Sequence, residues 1–114
     1  MRTFDLEEQE RGPVTVIAVE GSVDAVTAPR LSEALAAAVA AGRVRLVVDL
    51  GGVDYVSSSA LRALLAGVKG SRAAAGDLRL AAVPPPVARV FELAGFDGIV
   101  QRFDDADAAA LSFA

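Results

Sequence analysis

The spacing of apolar residues along the chain changes repeatedly between two patterns. The runs Val14–Val19 and Leu46–Leu50 are nearly continuously apolar, which is typical of strands buried on both faces. Elsewhere apolar residues recur at intervals of three and four, which predicts helices with one buried stripe. Such stripes begin at Leu31, Leu61 and Val87. Strands that alternate with helices predict an α/β fold whose sheet is mostly parallel.

Turn-forming and capping residues predict where these elements begin and end. The turn Arg11-Gly12-Pro13 follows a charged strand at Phe4–Glu10, so the first two strands are expected to form an antiparallel hairpin. Thr27 is an expected N-cap, with Pro29 inside the helix start. The other expectations are a loop at Glu20–Asp24, a short segment at Val53–Val56, a helix from the serines to about Ala75, a strand at Leu78–Val83, a final edge strand at Ile99–Phe103 and a last helix through Leu111 capped by Asp104 or Asp105. Residues 1–114 are therefore predicted to form one domain with a mixed, mostly parallel sheet of four to five strands and about four helices.

Composition removes many kinds of function. The 114 residues include no cysteine and no histidine, which excludes thiolate nucleophiles, the usual zinc ligands and a Ser-His-Asp triad built from this chain. The net charge of −4 argues against a nucleic-acid partner, because nucleic-acid binders are normally basic. No apolar run approaches the roughly 18 residues of a membrane helix, and the segment Met1–Arg11 is too charged for a signal peptide. We therefore expect a cytoplasmic protein without membrane insertion, cofactor or metal, and not an enzyme.

Three consecutive serines, Ser57-Ser58-Ser59, stand between a predicted buried strand and a predicted helix. One reading is helix capping, since a serine oxygen at the N-cap accepts an N–H of the first turn. One cap needs one serine, however, and an anion-binding or phosphorylation site is the second reading, because free N–H groups and the helix dipole favour negative charge there. A hydrolase nucleophile is disfavoured by the absence of histidine and of a Gly-x-Ser-x-Gly elbow.

Other polar residues carry weaker signals. Asp24 follows a strand and is either a turn or cap residue or part of a site. Asp49 and Asp54 could suggest Mg²⁺, but such ions need more oxygen ligands, so solvated loop carboxylates are favoured. The segment Gly67–Ser71 does not have the spacing of a phosphate-binding loop.

Four segments taken in order resemble the STAS domain, and more narrowly the bacterial anti-sigma factor antagonists. These segments are Gly21–Asp24, Ala28–Leu31, Val48–Leu61 and Phe91–Phe96. The resemblance covers nearly the whole chain. It implies a partner switch, in which the unphosphorylated antagonist binds an anti-sigma factor and so frees a sigma factor. The anti-sigma factor is a serine kinase of the histidine-kinase-like ATPase fold; it phosphorylates the antagonist, binding is lost, and a serine phosphatase reverses the modification.

The resemblance also implies which residues take part. The family pattern is Asp-Ser-Ser/Thr-Gly, in which the hydroxyl before glycine is modified; here that residue is Ser59, with Ser58 as the second choice. Asp24 matches the family's loop aspartate. The implied partner-binding residues are Asp24, Ser57, Ser58, Ser59, Ala60 and Arg62.

The chain departs from that pattern at two positions. Ser57 replaces the family's aspartate and removes a carboxylate that would orient the hydroxyl or meet the kinase; Ala60 replaces glycine and adds a methyl group where a partner approaches. These departures leave open a second function: an unphosphorylated STAS subunit of a lipid-transport ABC system or a signalling scaffold. A small enzyme or nucleotide-binding protein is a third hypothesis, which the absence of histidine disfavours.

Overall fold

The central feature of the computed structural model is a five-stranded mixed sheet. The structure describes residues 3–114, so the first two residues of the predicted domain lie outside it. The strands are β1 (Phe4–Arg11), β2 (Val14–Val23), β3 (Arg45–Val56), β4 (Asp77–Ala81) and β5 (Arg102–Phe103), in the order β1-β2-β3-β4-β5. The β1–β2 pair is an antiparallel hairpin, and every later pair is parallel. The predicted α/β class and mostly parallel sheet are confirmed.

Four helices cover the two faces of the sheet unequally. They are α1 (Ala28–Ala40), α2 (Ser58–Ala73), α3 (Pro85–Leu93) and α4 (Ala106–Leu111), and a 3₁₀ turn spans Phe96–Gly98. Helices α1, α2 and α3 share the larger core with alternate residues of the central strands. Helix α4 alone packs on the other face, over a small cluster that includes Val16 and Val47. Within residues 3–114, no helix is long and apolar enough to cross a membrane.

The second strand is longer than its sequence predicts. Glu20–Asp24 was expected as a loop, yet β2 continues to Val23, which pairs with Val56 of β3. Register shifts between Ala18 and Glu20, and again between Gly21 and Ser22, let the pairing continue, with Gly21 at φ +92°. The short segment expected at Val53–Val56 is likewise the end of β3, since that strand runs unbroken through Gly51 and Gly52.

The later elements also shift at their ends. The expected strand at Ile99–Phe103 is only Arg102–Phe103, because Ile99 and Val100 still belong to the preceding turn and donate their N–H groups to the Phe96 carbonyl at 2.9 and 3.0 Å. Strand β4 itself ends before the predicted Val83, since Ala82 turns the chain away at φ +55°. Asp105, rather than Asp104, caps α4 by accepting the Ala108 N–H at 2.7 Å.

Helix α2 packs closely against its neighbours at Gly67. A Cβ built there would lie 2.8 Å from Leu35 Cδ1 and 2.9 Å from Leu78 Cδ1, both on buried side chains. At Gly70, one turn later, a Cβ would meet nothing within 4 Å. The helix is continuous through both glycines, so the absence of a side chain at Gly67 serves packing against α1 and β4.

An ion-pair cluster joins the end of α2 to the start of β4. Asp77 lies 2.9 Å from Arg72 Nε and 3.2 Å from Arg79 Nε. Burial acts to raise the pKa of the Asp77 carboxyl, but hydrogen bonds from both guanidiniums and from the Leu78 N–H outweigh it, so the pKa lies below its ordinary value. This cluster lies at the opposite end of α2 from the serines.

Candidate functional site

The serine cluster lies where two neighbouring parallel strands end. Val23, the last residue of β2, pairs with Val56, the last residue of β3. The Ser57 N–H then donates to the Val23 carbonyl at 2.9 Å. The turn that follows β2 and the first turn of α2 therefore lie side by side at the carboxyl edge of the sheet, where α/β folds commonly place their sites.

Ser57 caps helix α2. Its backbone is extended, at φ −104° and ψ 178°, and its Oγ accepts the Ser59 N–H at 3.2 Å. Its carbonyl accepts the Ala60 N–H at 3.0 Å, which is the first turn of the helix. The capping interpretation of the cluster thus applies to Ser57, and the hydroxyls of the other two serines are not needed for it.

The remaining two serines differ in environment. Ser58 is exposed, and its hydroxyl makes no hydrogen bond with residues 3–114. Ser59 is half-buried, and its Oγ accepts a hydrogen bond from Arg62 Nη2 at 3.1 Å. Both hydroxyls lie in the first turn of α2, at the positive end of its dipole.

Asp24 organises the adjacent turn. Its Oδ1 accepts the N–H groups of Val26 at 2.9 Å and Thr27 at 3.0 Å. Thr27 occupies the expected N-cap position, but its side chain does not cap α1; the hydroxyl donates to the Ser22 carbonyl at 2.8 Å. The structure therefore gives Asp24 the turn-forming role that its sequence position predicts, beside the start of α2.

A shallow depression of about 430 Å³ separates the starts of α1 and α2. Ser59 and Arg62 line it from α2, and Glu33 lines it from α1. The depression therefore carries one cationic and one anionic side chain beside a half-buried hydroxyl. Ser59 and Arg62 share one face of α2 because they are three positions apart, whereas Glu33 joins them only because α1 packs against α2.

Ala60 lies beneath this surface and not on it. Only 1% of the residue is exposed, and it belongs to the core beneath α1 and α2. The methyl group that distinguishes it from the family's glycine thus packs inward. Any effect of Ala60 on a partner would act through the position of its neighbours in α2.

Asp49 and Asp54, the candidate ion ligands considered from the sequence, accept hydrogen bonds from within the chain. Both lie within β3, so the expectation that they are loop carboxylates is wrong. Asp49 accepts the Gly51 N–H at 2.9 Å, and Asp54 accepts the Ser22 hydroxyl at 3.0 Å. Across residues 3–114 no group of three or more acidic, histidine or cysteine side chains is arranged to hold a metal ion.

Two exposed apolar residues near the serines were missed by sequence reasoning. Val26, in the turn that Asp24 organises, is 83% exposed, and Tyr55, two residues before Ser57, is 42% exposed. Val26 follows Ala25 and Tyr55 precedes Val56, so an apolar neighbour adjoins each of them and nothing local distinguishes them from core residues. Exposed apolar side chains beside a polar site are typical of protein-binding surfaces.

Comparison with known proteins identifies similar chains. The family model described as "Mlab, STAS domain" matches residues 6–101. A protein of Bordetella bronchiseptica, BtrV, described as a candidate anti-sigma factor antagonist, is 39% identical over 86% of this chain and 84% of its own length. The anti-sigma-B factor antagonist of Listeria monocytogenes is 27% identical over 87% of this chain and 86% of its own. The crystal structure of an anti-sigma factor antagonist from Mycobacterium paratuberculosis superposes with a TM-score of 0.88 and 29% identity, covering 96% and 93% of the two chains.

Proposed function

The chain belongs to the STAS domain family, and from that membership we propose that it is an anti-sigma factor antagonist. In this role it is a regulatory binding protein of the cytoplasm, not an enzyme, and it needs no cofactor. It binds an anti-sigma factor and so releases a sigma factor. Support comes from the relatives in Bordetella and Listeria, whose names describe this function and whose similarity extends over most of both chains.

We propose that the partner is a serine kinase of the histidine-kinase-like ATPase fold, and that it phosphorylates Ser59. The observation that carries this proposal is the division of roles among the serines. Ser57 supplies the cap, which leaves the hydroxyl of Ser59 available at the positive end of α2. Ser58, the more exposed residue, is the second choice as acceptor. A serine phosphatase returns the protein to its binding form.

The proposed partner surface is formed by the two adjacent turns at the carboxyl edge of β2 and β3. Its residues are Asp24, Ser57, Ser58, Ser59 and Arg62, with Ala60 supporting them from below. A phosphate on Ser59 would add about 1.5 to 2 negative charges to this surface at neutral pH. Like charges and the desolvation of a phosphate both oppose close contact with the kinase, so binding is lost on modification.

Phosphorylation is tested with the purified kinase, ATP and mass spectrometric mapping. The wild type should gain one phosphate on Ser59, Ser59→Ala should gain none there, and the matched control Ser58→Ala should be labelled like the wild type. Full labelling of Ser59→Ala at Ser58 would transfer the assignment to the second choice. Absence of phosphate from the wild type in the presence of an active cognate kinase would refute the phosphorylation.

The binding switch is tested separately by calorimetry with the anti-sigma factor. Ser59→Asp introduces a negative charge, whereas Ser59→Asn has a similar shape without charge. We expect Ser59→Asp to weaken binding at least about fivefold more than Ser59→Asn, because a charge pair at contact distance is worth about 1 kcal/mol or more. Equal affinities of the two variants would contradict an electrostatic switch.

The two departures from the family pattern carry little weight for the alternative function. Ser57 caps α2 as an aspartate would, and the methyl group of Ala60 is buried. An unphosphorylated subunit of a lipid-transport ABC system or scaffold would be indicated instead by co-purification of an ATP-binding cassette protein from cells, without a sigma regulator.

A further inference from the structure

Arg62 holds the hydroxyl of Ser59 in the unmodified protein. The two residues are three positions apart along α2, a spacing that puts both side chains on one helix face. Arg62 is exposed, and its Nη2 donates to Ser59 Oγ across 3.1 Å. A guanidinium is therefore already in contact with the atom that phosphorylation would modify.

Phosphorylation of Ser59 changes the hydrogen-bond acceptor that Arg62 contacts. A bond forms between Ser59 Oγ and the γ-phosphorus of ATP, the bond from that phosphorus to its bridging oxygen breaks, ADP leaves, and the hydroxyl proton is released. Where Arg62 had one neutral oxygen, it then has three charged phosphate oxygens on the same side chain. The planar guanidinium can donate two parallel N–H bonds to such a group, and charge-assisted bonds of this kind are the stronger ones.

We propose that Arg62 is the intrachain binding partner of a phosphate on Ser59, and that phosphorylation thereby withdraws Arg62 from the partner-binding surface. This inference rests on the proposed function. The switch then has two parts. A negative group is added to the surface, and Arg62, which makes one hydrogen bond to a neutral hydroxyl in the unmodified protein, is bound to the phosphate and no longer available to the partner.

The surrounding charges leave this pairing intact. Glu33 of α1 lines the same depression as Arg62. Its exposed carboxylate carries one negative charge, fewer than a phosphate, so it competes weakly for Arg62. Asp24 of the β2–α1 turn is engaged by the N–H groups of Val26 and Thr27, and Asp54 of β3 accepts the Ser22 hydroxyl. Farther along α2, Arg72 is bound to Asp77 and to the Ile99 carbonyl, so it is committed to the other end of the helix.

The pairing can be measured without kinase or partner. Phosphoserine is incorporated at position 59 of the full chain during translation, and the second pKa of the phosphate is followed by ³¹P NMR. That pKa is near 6 for an isolated phosphoserine. A contacting guanidinium favours the dianion, so Arg62→Gln should raise the phosphate pKa by about 0.5 to 1 unit relative to the arginine protein. Arg62→Lys should restore part of the difference, because lysine keeps the charge without the planar fork.

Lys69→Gln is the matched control. It removes the same charge from an exposed position two turns along the same helix, where screening by salt leaves an expected pKa change of less than about 0.2 unit. Equal phosphate pKa values in the arginine and Arg62→Gln proteins would overturn the inference, as would an equal shift in Lys69→Gln. The same phosphoprotein titrated with the anti-sigma factor tests the proposed function on its own. If the phosphoprotein loses affinity for the anti-sigma factor but its phosphate pKa equals that of the Arg62→Gln protein, only the role of Arg62 is overturned. If its phosphate pKa is lower than that of the Arg62→Gln protein but its affinity for the anti-sigma factor is undiminished, the Arg62–phosphate contact stands and the switch is refuted.

Discussion

Replacing Ser57 with alanine should isolate the energy of one helix cap. The change leaves the backbone bonds in place, because the Ser57 N–H still donates to Val23 and its carbonyl still accepts the Ala60 N–H. Only the bond from the Ser59 N–H to Ser57 Oγ, at 3.2 Å, is lost. The stability difference from wild type therefore measures the cap itself.

The expected magnitude follows from the geometry. Alanine at an N-cap typically costs about 0.5–2 kcal/mol. The bond here is at the long end of the normal range and the site is half-exposed, so water can replace the lost oxygen, and we expect about 0.5–1 kcal/mol. For a domain of this size that corresponds to a melting temperature lower by roughly 2–5 °C. Ser57→Asp keeps a capping oxygen and adds charge at the positive end of the dipole, so it should gain about 0.3–1 kcal/mol at low salt.

Urea denaturation followed by far-UV circular dichroism gives the three free energies of unfolding on one scale. Ser58→Ala is the control, because the Ser58 hydroxyl is exposed and makes no bond with residues 3–114; its stability should match wild type or slightly exceed it. If Ser58→Ala loses as much as Ser57→Ala, the cap is assigned to the wrong serine. If Ser57→Asp is as unstable as Ser57→Ala, the dipole argument for this site fails. In the kinase assay, Ser57→Asp also shows whether the carboxylate of the family pattern accelerates modification of Ser59.

Two further predictions concern packing and pH. Gly70→Ala should stabilise the protein by about 0.5–1 kcal/mol through helix propensity. Gly67→Ala should be at least about 1 kcal/mol less stable than Gly70→Ala, since its methyl group would press on Leu35 and Leu78. Equal stability of the two variants in urea would contradict the packing. Asp77→Asn should cost about 1–2 kcal/mol at neutral pH by weakening two charge-assisted bonds. Because the pKa of Asp77 is lowered in the folded state, this contribution to stability is present above its ordinary pKa of 3.8 and is lost as the pH falls further. The difference in free energy of unfolding between wild type and Asp77→Asn should therefore shrink in acid. A difference that stays constant with pH would contradict the assignment.

Much of the fold could be predicted because local patterns and tertiary structure agree there. The nearly continuous apolar run at Leu46–Leu50 is part of a central strand, and the Gly12-Pro13 turn closes a hairpin. The end of β2 could not be predicted, because Glu20-Gly21-Ser22 has the composition of a turn. Those residues are held in the sheet by pairing with β3, a contact between distant parts of the chain that no local window contains.

The candidate site shows the same division. The position of three serines at a helix start was predictable from spacing, but which one caps the helix depends on the extended backbone of Ser57. The burial of Ala60 depends on α1 packing over α2, which spacing does not describe. The exposure of Val26 was unpredictable for a related reason, since an apolar residue in a loop can be buried or exposed according to what passes above it.

The hydrogen bond between Ser57 and the Val23 carbonyl has a consequence for protein quality control. It joins two turns separated in the chain by all of α1 and all of β3, so the surface they form does not exist until β2 and β3 have paired. A regulator that recognises both turns therefore binds only the folded protein. Under the proposed function, unfolded copies would therefore not occupy the anti-sigma factor, and the signal would follow the amount of folded protein.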